Sequence, residues 1–361
     1  LINFRFNLIK KLLSKGYKVS VASPKNRFSE NLQKELRDLG VNINIFSLSS
    51  VGLNIFKDCK TILEIYKIIQ NSKPNIIISY TAKPVIYTGL VLKFFKKIDY
   101  FPLITGLGYV FIDRDKIKHK FIRYLIIKLY HEALKRSAKT IFQNKDDQSL
   151  FLKLKIINKN NISNIVNGSG VDLNIYPFSN LPSKPIFLMI SRLLVDKGVR
   201  EYVEAAKIVR SHFSGVRFQL AGYLDENPSG ITSQELKSWI DEGNIEYLGE
   251  KKNVQSILRL CKYYVLPSYR EGTPRSVLEA LSTGRPIITT DVPGCRETVV
   301  HKKNGLLVPV KDPIALSNAM ITLLKTNDEI IKKMALESYL MAKNKFEINK
   351  VNKSLLDIMN L

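Results

Sequence analysis

Residues 270–284 read REGTPRSVLEALSTG, with Glu271 and Glu279 eight positions apart. Thr273 is a candidate N-cap and Pro274 suits the first helical position, where its missing N–H costs nothing. A helix over 274–283 then presents the N–H groups of Arg275, Ser276 and Val277 at its positive end, a ready site for a phosphate. At 100° per residue Arg275, Ser276, Glu279 and Thr283 share one face, while Val277, Leu278 and Leu281 point to a core. Glu279 is placed roughly 5–8 Å along the helix from the anion site, well set to accept from ribose hydroxyls. Glu271, ahead of the helix, reaches the other side of the phosphate, where a sugar would be. A strand over 263–267 precedes this stretch and another over 286–290 follows, which makes it a βαβ unit of a parallel sheet.

The same rhythm runs outward in both directions. The expected strands are 17–23, 41–47, 75–80, 100–105, 139–143 and 162–166 in the first half. In the second half they are 185–190, 216–221, 245–248, 263–267, 286–290 and 305–309. Most are continuous apolar runs, such as NIIIS and PIFLMIS, of the kind buried on both faces of a parallel sheet. Helices are expected at 197–211, 231–242, 253–261, 274–283 and 313–325. This alternation predicts an α/β protein of two Rossmann-like, doubly wound domains with a cleft between them. The Pro- and Ser-rich YPFSNLPSKP, 176–185, reads as the linker, dividing a domain over 1–176 from one over 182–344. A last helix, about 345–361, is expected to return to the first domain. The opening LINFRFNLIKKLLSKG has helical spacing, and a doubly wound sheet ordinarily starts on a strand. The sequence therefore reads as lacking its first strand and glycine loop, with a vacant slot expected between strands 17–23 and 75–80.

Composition narrows the function. The chain has 361 residues, enough for two cores, and is 45% hydrophobic and 24% charged, as globular proteins are. No apolar run reaches the ~20 residues a membrane-spanning helix needs. Cys59, Cys261 and Cys295 have no metal-ligand or redox spacing and read as small core or loop residues of a reducing compartment. The net charge is +24, and residues 1–180 carry 30 basic against 12 acidic side chains, so most of the surplus lies in the first half. An anionic partner is implied, either nucleic acid or a phospholipid surface; a merely Lys-rich solvated surface is the plainer alternative.

Ligands of open α/β sheets sit beyond the carboxyl ends of the strands. There the chain places SRLLVDKG after strand 185–190, with Arg192 and Lys197 around a turn that enters a helix. A diphosphate needs both charge neutralisation and directional donors, which Arg and Lys supply in different ways.

Taken together, SRLLVDKGV, EYLGEKKNV, LPSYREGTPRSVLEALSTGRPIITTDVPGCRETV, NGLLVPVKD and the earlier NGSGVD at 167–172 resemble the retaining GT-B glycosyltransferases of family four. Glu271 and Glu279 match that family's E-x7-E pair. YTAKPVIYTGL, LITGLGYVFID and DENPSG are similar to the subgroup of bacterial polyprenyl-diphosphate-sugar N-acetylhexosaminyltransferases. The resemblance implies a catalytic set of Glu271, Arg192 and Lys197, with Glu271 holding the donor sugar and the two cations stabilising the leaving diphosphate. It implies that Glu279 binds the ribose, and that Gly272, Thr273, Pro274, Arg275, Ser276, Val277, Gly249, Lys251 and Val254 complete a nucleotide-sugar site. Retention by front-face attack needs no dedicated protein base. Neither metal nor cofactor is implied, the nucleotide sugar (UDP-linked) being a co-substrate.

One departure from the family pattern is the loop after the fourth strand. It reads TGLGY, without the histidine many members carry there, and His119, His131, His212 and His301 lie elsewhere. Thr105, Gly106 and Gly108 are instead expected to form a close-approach wall on the acceptor side. A polyprenyl-linked acceptor requires access to lipid. Residues 115–139 set Ile117, Phe121, Leu125 and Leu129 at helical spacing among Lys and Arg, and LKFFKK at 92–97 adds two aromatics. A peripheral position at the inner face of the cytoplasmic membrane is the expectation. Two other functions remain in play: a nucleotide-sugar epimerase of the same architecture, and a non-enzymatic basic module binding membrane or nucleic acid. No recognisable nucleic-acid module supports the last.

Overall fold

A computed structural model of the chain describes residues 2–24, 30–48, 54–107, 111, 117–158, 160–225 and 227–361. The first half runs α1 (Ile2–Ser14), β1 (Ser20–Pro24), α2 (Glu30–Asp38), β2 (Asn42–Phe46), α3 (Ile55–Ser72), β3 (Ile76–Tyr80), α4 (Ala82–Val91), β4 (Asp99–Ile104), α5 (Ile117–Leu134), β5 (Thr140–Phe142), α6 (Lys145–Lys153) and β6 (Ser163–Ile165). Local chemistry sets several ends. Asn54 caps α3 by accepting from the Lys57 N–H at 3.1 Å, and Asn144 caps α6 by accepting from Asp147 N at 2.7 Å.

Every strand pair in this half is parallel, in two separate ladders: β1 with β2, and β3-β4-β5-β6 in that order. Among the described residues no strand pairing joins β1 to β3. Helix α1 spans the two ladders. Its Leu8 packs with Phe101, Leu103 and Ile141, and the adjacent Ile9 packs with Val21, Leu32 and Leu36.

The second half runs β7 (Ile186–Ile190), α7 (Val199–His212), β8 (Arg217–Ala221), α8 (Ser233–Asp241), β9 (Glu246–Tyr247), α9 (Gln255–Leu260), β10 (Tyr263–Leu266), α10 (Arg275–Ser282), β11 (Ile287–Thr290), β12 (Gly305–Val308), α11 (Pro313–Lys325), α12 (Asp328–Met341) and α13 (Ile348–Met359). Its sheet is parallel, in the order β12-β11-β10-β7-β8-β9. Read from β7 as the first strand, that is the doubly wound order 3-2-1-4-5-6. The order reverses between β7 and β10, and the crevice beyond their carboxyl ends is the place for a ligand. Both strands are buried on both faces because α7 and α10 cover the sheet. Phe187 stacks on Phe218 at 5.3 Å and on Tyr263 at 4.8 Å between ring centroids. Truncating such a ring to alanine costs about 3–5 kcal/mol.

The Pro- and Ser-rich stretch is no loose tether. The fully buried Arg285 donates to the carbonyls of Ser179, Asn180, Cys261 and Thr283, and the Ser282 hydroxyl to the carbonyl of Tyr176. At the other crossing Val171 bonds to Phe346 and Ile348 through the backbone, and α13 then packs Val351, Leu355 and Leu356 against Leu103 and Ile141.

Candidate active site

Two loops leave the switch point side by side. After β7 the chain makes a single 3-10 turn, Val195–Lys197, and enters α7 through Gly198 at φ +75°. A Cβ at Gly198 would lie 2.1 Å from the carbonyl oxygen of Pro267, so only glycine lets this turn lie against the loop after β10. The carbonyl of Asp196 accepts from the Tyr269 N–H at 2.9 Å and the Ser268 hydroxyl at 3.1 Å. These bonds bring Lys197 to Glu271, and the two side chains form a short, mostly buried ion pair. The Glu271 N–H is in turn held by the carbonyl of Pro293 at 3.0 Å.

The other half closes directly on this loop. A Cβ at Gly272 would stand 2.1 Å from the Thr105 carbonyl oxygen, and one at Gly106, whose φ is +116°, 2.9 Å from Gly272 N. The two backbones touch because neither residue has a side chain. Thr105 and Gly106 are thereby packed against the residue that follows Glu271. Gly108 lies outside the described residues. Asn144 donates to the Gly272 carbonyl at 2.9 Å and to Asp147 at 3.1 Å, and Thr273 donates to the carbonyl of Gln143 at 3.3 Å. Arg270 pairs with the fully buried Asp147, and Arg296 reaches Asp146 at 3.2 Å. Burial pushes the Asp147 carboxyl above the usual range, against the pull of the Arg270 guanidinium.

Helix α10 carries the second glutamate. Glu279 is 6% exposed, and its carboxylate is held by Arg275 Nε at 2.7 Å and by the hydroxyl of Tyr176. Desolvation raises its pKa, with Arg275 and Tyr176 opposing. A carboxylate fixed from two sides is a preorganised acceptor.

Several sequence expectations need correction here. Thr273 is not the N-cap: its hydroxyl is turned to Gln143, and Pro274 occupies the cap position without a side-chain bond. The N–H of Val277 is not free for an anion, because it closes a tight first turn onto the Pro274 carbonyl at 3.1 Å. Ser276 is half-buried beside Tyr264. Arg192 pairs with Asp225 at 3.0 Å, in the loop after β8. Gly249 accepts from the Gly222 N–H at 3.0 Å, Lys251 is exposed, and Val254 precedes α9. The interdomain set of Asn144, Asp147 and Arg270 was missed. In the sequence, NKDD looks like a local helix cap, which it also is, and nothing in it points to an arginine 123 residues away.

A parallel two-domain α/β protein, with Lys197 and Glu271 paired at the switch point of one sheet against the other domain, is built as a GT-B glycosyltransferase. Residues 184–326 match the family described as Glycosyl transferases group 1, and residues 3–144 the one described as Glycosyl transferase 4-like. The chain is 32% identical to the N,N'-diacetylbacillosaminyl-diphospho-undecaprenol alpha-1,3-N-acetylgalactosaminyltransferase of Campylobacter jejuni, over 90% of this chain and 86% of that one. It is 26% identical to the UDP-Gal:alpha-D-GlcNAc-diphosphoundecaprenol alpha-1,3-galactosyltransferase of Escherichia coli, over 79% and 74%. Among solved structures, Anabaena HepE in complex with UDP superposes with a TM-score of 0.73 at 15% identity, covering 92% of this chain and 90% of that one. The sucrose-phosphate synthase of Thermosynechococcus elongatus superposes with a TM-score of 0.75 at 15% identity, covering 95% and 98%. The chain belongs to this glycosyltransferase family and is a glycosyltransferase.

Proposed function

We propose that the protein moves a hexose or N-acetylhexosamine, with retention, from a UDP-sugar to a polyprenyl-diphosphate-linked saccharide in bacterial polysaccharide or glycan assembly. The observation that carries this reading is the Lys197–Glu271 pair, held at the switch point against the Thr105–Gly106 wall of the other half. When a nucleotide sugar enters, its diphosphate competes for Lys197. The lysine then meets the charge that grows on the leaving phosphate, while Glu271 is released to accept from sugar hydroxyls. Arg192 lies on an adjacent loop and could add charge only by exchanging Asp225 for phosphate. Glu279 accepts from the ribose. The acceptor hydroxyl attacks from the same face as the departing phosphate, which takes its proton, so no protein base is needed. In this reading Lys197 and the positive end of α10 supply the charge for the diphosphate, and no metal is required.

The acceptor's lipid calls for an anionic membrane face as partner. The exposed surfaces of α3 and α5 favour one: Ile55, Phe56 and Leu63 stand among Lys57 and Lys60, and Phe121, Tyr124 and Leu125 among Lys120 and Lys128. Of the two aromatics in 92–97, Phe94 is exposed, whereas Phe95 packs on Tyr66. No helix among the described residues is long and apolar enough to cross a membrane. The test of the transferase reading is thin-layer analysis of UDP-sugar with and without the lipid-linked acceptor. Sugar conversion without acceptor would establish the epimerase alternative instead.

A further inference from the structure

Among the described residues, a buried positive charge without a hydrogen-bonded anion stands out at the carboxyl end of β3. Arg5, in the first turns of α1, is 5% exposed, and its guanidinium lies over the ring of Tyr80, 4.7 Å from the centroid. Its Nη1 is buried and has no hydrogen-bond partner among the described residues. Stacking on an aromatic face recovers only part of what desolvating a guanidinium costs, so the fork is left with an unmet donor. Tyr80 ends β3, and the next residue, Thr81, caps α4 at φ +67° and ψ 160° with no side-chain hydrogen bond. A β-branched residue holds that backbone only under strain, of the kind concentrated at functional sites. The first turn of α4 contains no acidic residue, and its one cation, Lys83, is already neutralised by Asp58 at 2.9 Å. Tyr80 pairs in register with Leu103, two residues before Thr105. The guanidinium and this helix terminus therefore lie at the same sheet edge as the Thr105–Gly106 wall, one strand away from it.

We propose that Arg5, Tyr80 and the first turn of α4 form a second anion site, distinct from the one served by Lys197, that takes a diphosphate. An arginine fork matches phosphate oxygens. The first turn of α4 adds the N–H groups of Ala82 and Lys83, Pro84 having none and the Val85 N–H being bonded to the Thr81 carbonyl at 3.0 Å. Resting on the transferase reading above, the anion is the diphosphate of the lipid-linked acceptor. It would be gripped there while its terminal sugar reaches past Thr105 and Gly106.

The test uses inorganic pyrophosphate as probe, titrated calorimetrically into the protein with UDP at saturation. Pyrophosphate is expected to bind despite UDP, with affinity at least tenfold weaker in Arg5→Gln and less reduced in Arg5→Lys, which keeps the charge but loses the fork. UDP affinity within twofold of the unchanged protein shows that a variant is folded. In transfer assays of the unchanged protein, pyrophosphate should compete with the lipid-linked acceptor and not with the UDP-sugar. Arg5→Gln should raise the acceptor KM at least tenfold and leave the donor KM alone. No pyrophosphate binding in the presence of UDP, or equal binding by folded Arg5→Gln, overturns the site. Arg5-dependent binding that does not compete with acceptor overturns the assignment to the acceptor and points to free phosphate or a lipid headgroup. If no transfer is found with any acceptor while pyrophosphate binding still depends on Arg5, the transferase reading has failed and the anion site has not.

Discussion

Gly272→Ala adds one methyl group where the two halves touch, and its consequence can be worked out from distances. The new Cβ would lie 2.1 Å from the Thr105 carbonyl oxygen and 2.6 Å from Gln143 Oε1. Gln143 can swing away, but the backbone carbonyl cannot. Ordinary contact begins near 3.4 Å, so Glu271 and Gly272 must retreat from the wall by about 1.3 Å. Displacing a reacting group by ~1 Å can cost ~100-fold, equivalent to about 2.7 kcal/mol of barrier. Steady-state transfer should therefore show kcat down by about two orders of magnitude. UDP affinity should change little, because Glu279 and Tyr176 are anchored elsewhere. Gly215→Ala is the control, since a Cβ there meets nothing within 4 Å. A folded Gly272→Ala protein that keeps kcat within threefold of the Gly215→Ala control would refute the claim that this contact sets the position of Glu271.

Lys197→Ala should lower kcat far more than UDP-sugar affinity, because the lysine acts on charge that develops as the bond breaks; an unchanged kcat would contradict its role. Glu279→Ala should weaken UDP binding by about 1–3 kcal/mol, measured by calorimetry, through loss of a desolvated acceptor. Burial raises the Glu279 pKa above its unfolded value, so the native state holds this proton more tightly than the unfolded chain does. Its stabilising effect is then full below the unfolded pKa and lost as pH rises through the raised value, so melting temperatures should fall relative to Glu279→Gln across that window. Arg270→Met strands the buried Asp147 carboxylate and should cost about 3–5 kcal/mol in denaturant unfolding. Transfer should proceed undiminished in EDTA if Lys197 and the α10 terminus meet the diphosphate charge.

Much of the fold was legible because parallel strands buried on both faces are continuous apolar runs, and IFLMI or YYVL reads the same in sequence and in space. Element ends moved by one to three residues where capping, not hydrophobicity, sets them: Pro274 took the cap position expected of Thr273. The placement of Glu271 and Lys197 in strand-to-helix loops, and of Glu279 on α10, was legible from the strand pattern around them. The partners that hold them were not. Asp147 and Arg270 meet across 123 residues, Tyr176 reaches Glu279 from a stretch that reads as linker, and Arg192 was drawn off by Asp225. Long-range ion pairs leave no periodicity in a chain, so only the folded arrangement reveals them.

The central claim is acceptor-dependent transfer from a nucleotide sugar through Lys197 and Glu271. Its most direct measurement is the release of UDP from radiolabelled UDP-N-acetylhexosamines and UDP-hexoses, with and without a polyprenyl-diphosphate-linked sugar, together with the anomeric configuration of the product. The account predicts UDP release and a lipid-borne product of retained configuration with at least one donor, only when acceptor is present, and collapse of both in Lys197→Ala. An inverted product, or conversion of the sugar without acceptor, would contradict it.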